Sequence, residues 1–429
     1  MTHLGWVAAL PEGWEAKPLR SVADFFVSNV DKIPADGEMP VRLCNYSDVY
    51  NHEFIDLSID FMQATATEDE MRKFRLAVDD VVITKDSESW DDIGVPALVR
   101  ETADDLICGY HLAVLRPHEH RMLGAFLFRC LQAKPVRVQL ELAAADGVTR
   151  FGIPKSDLGS MLLPSPPPST QIAISDYLSR QTARLDALVS AKQRLLELLT
   201  EKRRALISHA VTRGTRLNCP LRESGIAWLG SIPKDWRTER AKWLFRERDQ
   251  RSQTGEEELL TVSHLTGVTR RSEKDVNMFE AETTEGYKIC HKGDLVINTL
   301  WAWMGAMGVA PIDGIVSPAY NVYELGPELE SGYVDALVRL PIFAQEVTRY
   351  SKGVWSSRLR LYPEGFFETV LPVPSRDEQS EIVDFIAKET ADLDAAHSTG
   401  VSTIELLKER RAALIASVVT GELDIGRAV

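Results

Sequence analysis

The side chains of this sequence that could do chemistry are ones that read a surface rather than react with it. The segment NTLWAWMGAMG (Asn298 to Gly308) places Asn298, Trp301 and Trp303 directly after a strand-like run, and SKGVWSSRLRLYPEGF adds Ser356, Arg358 and Arg360. Arginine pairs with the guanine edge and asparagine with the adenine edge, so these loops hold groups able to contact bases. Tyr320 opens the run YNVYEL and joins the same set. In the first half of the chain the candidates are Lys85, Ser87 and Trp90, at and just beyond DDVVITK, with Arg150 and Lys155 farther on. The basic run RTERAKWLFRERDQR (Arg237 to Arg251), followed by Arg270, Arg271 and Lys274, reads as a face that could follow phosphates. The plainer reading makes the tryptophans core anchors and the charges a solvated surface.

Catalytic spacings are missing from the sequence. It contains no G-x-x-x-x-G-K-[ST], no G-x-G-x-x-G after a strand, no Asn/Asp-Pro-Pro-aromatic motif and no H-E-x-x-H. Glu15-Ala-Lys17 has the E-x-K form of a nuclease but lacks a suitable acid just upstream. Cys44, Cys108, Cys130, Cys219 and Cys290 form no C-x-x-C pair, which argues against a zinc site; Cys108 and Cys290 sit among apolar neighbours, as small core residues do. No metal or catalytic residue is assigned, and the chain is expected to catalyse nothing alone.

The elements that must position the candidate residues are written twice. GWVAALPEGW (Gly5 to Trp14) aligns with AWLGSIPKDW (Ala227 to Trp236), and the segment from Leu163 aligns without a gap with the segment from Leu371. DDVVITK echoes GDLVINT, and LICGYHLAVLRP echoes IVSPAYNVYELG. Each gapless segment predicts a helix of about 40 residues, roughly 60 Å long. An apolar stripe runs through Leu178, Leu185, Leu188, Leu195, Leu199 and Leu206, and a weaker one through Ile386, Leu393, Leu407 and Leu414. Two such stripes predict a helix pair, antiparallel because the intervening module lets the chain return. Ser375 to Glu378 reads as a capping box, Gly214 as a helix stop, and PSPPP as a stretch that cannot be helical. The modules mix short β-prone runs with helical spacing at Arg121 to Leu142 and Tyr333 to Tyr350.

Composition sets the outer limits. A chain of 429 residues with 44% hydrophobic residues is long enough for at least two folded cores. A net charge of −14 argues against a simple nucleic-acid coat but leaves room for local basic faces. The start lacks signal-peptide character and no run has membrane-span length, so a cytoplasmic location without membrane contact is expected.

The phrases ESGIAWLGSIPKDW and KGDLVINTLWAWMGAMGVAPIDGIVSPAYNVYEL, with Leu-Pro-x-Pro-(x)4-Gln-(x)2-Ile before each long helix, resemble the DNA-specificity (S) subunits of type I restriction-modification enzymes. The endings LLTEKRRALISHAVTRG and LLKERRAALIASVVTGEL share the likeness, which spans nearly the whole chain. The resemblance implies an α+β fold: two mixed α/β target-recognition domains separated by two long antiparallel coiled-coil helices with pseudo-two-fold duplication. The expected divisions are residues 1–162, first recognition domain; 163–215, first long helix; 216–370, second recognition domain; and 371–429, second long helix. It further implies that each domain reads one half of a bipartite, asymmetric site in double-stranded DNA. The helices would set the spacer and dock two methyltransferase (modification) subunits, with motor-nuclease (restriction) subunits added for cleavage. S-adenosylmethionine, ATP and magnesium would belong to those partners. The introduction PSPPPSTQ lacks the acidic residue that precedes the glutamine of the second copy, so weaker capping is expected there. The rival readings are a duplicated coiled-coil scaffold that binds only protein, and a catalytic restriction enzyme with unfamiliar motifs.

Overall fold

A computed structural model describes residues 4–144, 151–216, 218–274, 283–353 and 359–425. The chain divides into two compact units, one of residues 1–193 with 401–429 and the other of residues 194–400.

In the first unit, a five-stranded sheet runs in the order Ala23–Val27, Leu112–Pro117, Val81–Thr84, Pro96–Val99, Phe54–Ile55. In the second, a four-stranded sheet runs Phe245–Arg248, Tyr320–Leu325, Leu295–Asn298, Met307–Val309. The echoing runs of the sequence therefore occupy equivalent places: DDVVITK and GDLVINT supply the strand that pairs antiparallel on both sides. Val81, Val82, Ile83 and Leu295, Val296, Ile297 are buried, as expected of strands covered on both faces. The two predicted helical stretches each split in two, at Gly124–Gln132 and Lys134–Ala144 and at Ser331–Val338 and Pro341–Tyr350. The second break falls where proline fits a helix start but not an interior. Cys44, Cys108, Cys130 and Cys290 are buried, and burial pushes their thiols up.

The long helices are Pro168–Arg213 and Arg376–Val419. Pro168 is itself the first helical residue, so the proline run reaches one residue into the helix, at the position where a missing N–H costs nothing. At the second helix Ser375 Oγ accepts the Glu378 N–H at 3.3 Å, the first half of a capping box.

Behind each start, the glutamine of the repeated motif acts as a clamp. The Gln171 side chain accepts the Leu123 N–H at 2.9 Å and donates to the carbonyls of Arg121 and Pro166 at 3.0 and 2.9 Å. Gln379 accepts the Glu330 N–H at 2.8 Å and donates to Glu328 and Pro374 at 2.8 and 3.0 Å. Both are fully buried. A strand pair stands beside each clamp, Glu15–Pro18 with Leu162–Ser165 and Arg237–Arg240 with Val370–Val373.

The helix ends explain the repeated opening phrase. Gly214 and Gly421 take φ of +75° and +74° as C-terminal caps. Trp236 packs on Gly214 in one unit, and Pro11 and Trp14 pack on Gly421 in the other, where a Cβ would meet Pro11 at 2.4 Å.

Each unit's core takes in both helices. Ile174 and Leu178 join Ile415, Val418 and Val419 in the first unit, and Ala210 and Val211 join Ile382 in the second. In the second unit Leu196 faces Gly400, and Arg203 Nε lies 2.8 Å from Asp394. In the first unit Arg411 Nε lies 2.9 Å from Asp186, with Glu53 at 2.5 Å from the same guanidinium. These contacts make the pairing antiparallel within each unit.

The less exposed positions between the helices step by four and three: Leu185, Val189, Lys192, Leu196, Leu199, Arg203 in one, and Leu393, His397, Gly400, Ile404, Leu407, Arg411 in the other. Leu206, Ile386 and Leu414 are half-buried. Leu188 and Leu195, expected in the seam, are 46% and 44% exposed. They sit one residue before Val189 and Leu196, which hold the inward positions instead. Among the described residues no helix is long and apolar enough to cross a membrane.

Candidate nucleic-acid interface

In the second module the candidates gather at one end of the strand Leu295–Asn298. Asn298 is buried, and its side-chain oxygen accepts the Leu300 N–H at 3.2 Å, so it shapes the turn that follows. The chain enters a 3-10 turn, Ala302–Met304, which Gly305 ends at φ +89°. Trp303 is held by its indole N–H on the Leu300 carbonyl at 3.0 Å, while Trp301 stays half-exposed. Trp301 is therefore no core anchor. The two rings are nearly parallel, 14° apart, with centroids separated by 6.5 Å.

Tyr320 stands opposite Asn298 in the ladder. Burial raises its hydroxyl pKa, against smaller lowering effects from Thr261 and Arg271. The Thr299 carbonyl accepts the Leu361 N–H at 3.1 Å, which brings the bridge between Lys352 and exposed Arg360 to this end. Asn298, Trp301, Trp303, Tyr320 and Arg360 thus share one end of one sheet. Ser356 and Arg358 lie outside the described residues.

The first module repeats the arrangement with other residues. The Ile153 N–H donates to the Lys85 carbonyl at 3.1 Å, the counterpart of Leu361 on Thr299. Phe151–Gly152 pairs with Asp86–Ser87, placing Ser87 at the strand end. Lys85 is ion-paired to Asp86 at 2.5 Å, so its charge is met within the module. His111 Nδ1 lies 3.3 Å from the same carboxylate. Trp90 is half-exposed, with Lys134 Nζ 5.7 Å from its ring centroid. Lys155 starts the helix Lys155–Ser160 with its ammonium 5.8 Å from the Phe25 ring. Arg150 lies outside the described residues. Tyr46, Asp86, Ser87, Glu88, Asp92 and His111 line a cavity of about 300 Å³. This carboxylate-rich hollow was missed in the sequence because Tyr46 and His111 come from distant segments.

The basic run in the second module is largely neutralised by its own fold. Arg237 pairs with Glu328, Arg240 with Glu368, Arg246 with Glu324, Arg248 with Asp294 and Arg251 with Asp249. These arginines meet carboxylates of their own unit, while Arg237, Arg240, Arg246 and Arg251 keep 45–79% of their side chains exposed. Lys274 remains distinctive: burial, and then the charge of Arg271, lower its pKa.

No protein-family model matches the chain, and no curated protein matches it in sequence. Among solved structures, the HsdS subunit from Thermoanaerobacter tengcongensis matches over 96% of this chain and 98% of that one, at 16% identity and a TM-score of 0.53. A chain from a study titled as the structural basis of complex assembly and conformational transition of the type I R-M system matches over 96% of this chain and 99% of that one, at 17% identity and a TM-score of 0.65. Two mixed modules borne on two long helices, each part written twice, give this chain the fold of the type I restriction-modification specificity subunits over nearly its whole length.

Proposed function

We propose that this chain is the non-catalytic specificity subunit of a type I restriction-modification complex, each module reading one half of a bipartite DNA site. The observation that carries the reading is the repeated strand-end surface: two separately folded modules present aromatic and polar side chains at equivalent places, and each is clamped to the same helix pair. Two unlike readers on one frame suit an asymmetric site. The helices set the spacer and dock two methyltransferase subunits, with restriction subunits completing the complex. Leu198 and Leu406, equivalent in the two copies and 55% and 64% exposed, support a partner on the helices. S-adenosylmethionine, ATP and magnesium belong to the partner subunits.

The isolated chain should neither bind S-adenosylmethionine nor transfer methyl groups, whereas its complex with methyltransferase subunits does both at one bipartite sequence. Methyl transfer by the chain alone would overturn the assignment, and a complex that assembles but shows no sequence preference would favour a protein-only scaffold.

Arg360→Ala tests the second reader. If Arg360 reads a base, the substitution weakens binding by about 1–3 kcal/mol and relaxes sequence preference in one half-site. A uniform loss across sequences marks a phosphate contact instead, and competition binding against half-site variants distinguishes the two.

A further inference from the structure

The second module carries a further strand pair, Leu260–Ser263 with Gly267–Arg270, beside its four-stranded sheet. Leu260, Val262 and Val268 share one apolar core with Val296 and Val322 of that sheet, so the pair is fixed to it. Its end away from the turn meets the end of the sheet where Asn298 and Tyr320 stand opposite each other, because the Tyr320 hydroxyl is hydrogen-bonded to the Thr261 side chain. There the chain leaves Arg270 and enters a 3-10 turn, Arg271–Glu273. The Arg271 N–H sits on the Leu259 carbonyl at 2.8 Å and the Lys274 N–H on the Arg271 carbonyl at 3.1 Å, which fixes the backbone of both residues. Arg271 lies close enough to Tyr320 for its charge to bear on the hydroxyl. Burial, and then the charge of Arg271, disfavour the Lys274 ammonium, and among the described residues no carboxylate is paired with it. The adjacent Glu273 lies with Arg270 instead, at 3.9 Å. Lys274 thus differs from the arginines between Arg237 and Arg251, each of which meets a carboxylate. Two cations held together where water is partly excluded are stabilised when an anion joins them.

We infer that Lys274, with Arg271 alongside, is the seat of one phosphate of the DNA backbone beside the second half-site. The inference rests on the specificity-subunit reading above. A duplex that lays base edges against Asn298 and Arg360 carries its phosphates past the flanks of the same sheet end, and the turn after Arg270 is such a flank. A compact ammonium suits a phosphate oxygen, and the contact carries no information about sequence. The seat therefore fixes the register of the second module on the duplex and leaves reading to the residues at the sheet end. An acidic protein segment would offer the same charge, but the place of the turn beside Tyr320, at the end proposed to face bases, favours the duplex.

The test uses the complex of the full chain with methyltransferase subunits, on a duplex carrying the site mapped by methylation sequencing. Lys274→Ala should weaken binding about 10-fold, and equally for the site and for variants of the second half-site. It should also lower the slope of log K against log salt by about 0.9, the share of one phosphate contact. Lys274→Arg should keep the slope. Arg72→Ala, which takes the same charge from an ion pair with Asp69 in the first module, should leave the slope as it was. Duplexes carrying one neutral methylphosphonate at a time then locate the contact: at a single position beside the second half-site, wild type and Lys274→Ala should bind alike. A loss that persists at every such position, or an unchanged slope, overturns the inference while leaving the specificity reading intact. A loss confined to variants of one base pair makes Lys274 a base reader, and normal DNA binding with failed assembly of the methyltransferase makes it a protein contact; either result also overturns it. A wild-type complex without sequence preference removes the specificity reading itself.

Discussion

Adding one heptad to both long helices, after Leu195 and after Gly400, shifts the methylated site to one with a spacer longer by up to about three base pairs. Methylation of the original site should fall to background, and both half-site sequences should stay as they were. The insertion point follows from the contact of Leu196 with Gly400, which fixes the matching level of the two helices. Seven residues preserve the alternation of three and four along the seam and lengthen each helix by about 10.5 Å. That length corresponds to about three base pairs at 3.4 Å each, and to fewer where the helices lie tilted to the duplex. Methylation-site sequencing of cells carrying the variant gives the answer directly. An unchanged spacer with full activity would mean that the helices do not set the distance, and altered half-site bases would mean that they take part in reading.

The second large effect is expected from the glutamine clamps. Gln379→Leu keeps most of the side-chain volume but leaves the Glu330 N–H and the carbonyls of Glu328 and Pro374 without their partner inside the fold. Each buried polar group stranded in this way costs about 1–3 kcal/mol, and a net loss of about 2–4 kcal/mol is expected for the second unit. Hydrogen exchange should then quicken in Val370–Val373 and the first turns of Arg376–Val419, while the sheet of the first unit keeps its protection. Gln171→Leu should do the reverse. Unchanged exchange in both variants would show that the glutamines are replaceable and that the strand pairs beside them hold the helix starts.

Much of this architecture was legible in the sequence because it is local or repeated. Helix length follows from periodicity, and the matching strands follow from DDVVITK and GDLVINT standing at equivalent places in the two copies. The phase of the helix seam was harder to read. LLELLT places leucines on adjoining faces, and residue type alone cannot tell Leu195 from Leu196 when both are apolar. The partners of the arginine-rich run were not legible for another reason: Arg240 meets Glu368 across 128 residues and Arg246 meets Glu324 across 78, so these ion pairs are a tertiary property. Within the candidate interface, the residues after each buried strand were legible from the echo. The hydrogen bonds from Ile153 and Leu361 that bring a second segment to the same place leave no mark in composition or spacing.

The two ion pairs between the long helices bear on how the halves of the chain can diverge. Asp186 belongs to the first copy and Arg411 to the second, and Arg203 and Asp394 join the copies in the opposite sense. A substitution at one of these positions is met by a residue of the other copy, so drift in either helix is checked by its twin. The modules meet such a check only where they touch the helices, as Glu53 does on Arg411 and Arg129 on Thr182. Elsewhere they are joined to the helix starts by a backbone ladder and one glutamine, neither of which reads the side chains beyond it. The helical segments are held to a shared sequence by each other, and the modules between them are freer to diverge.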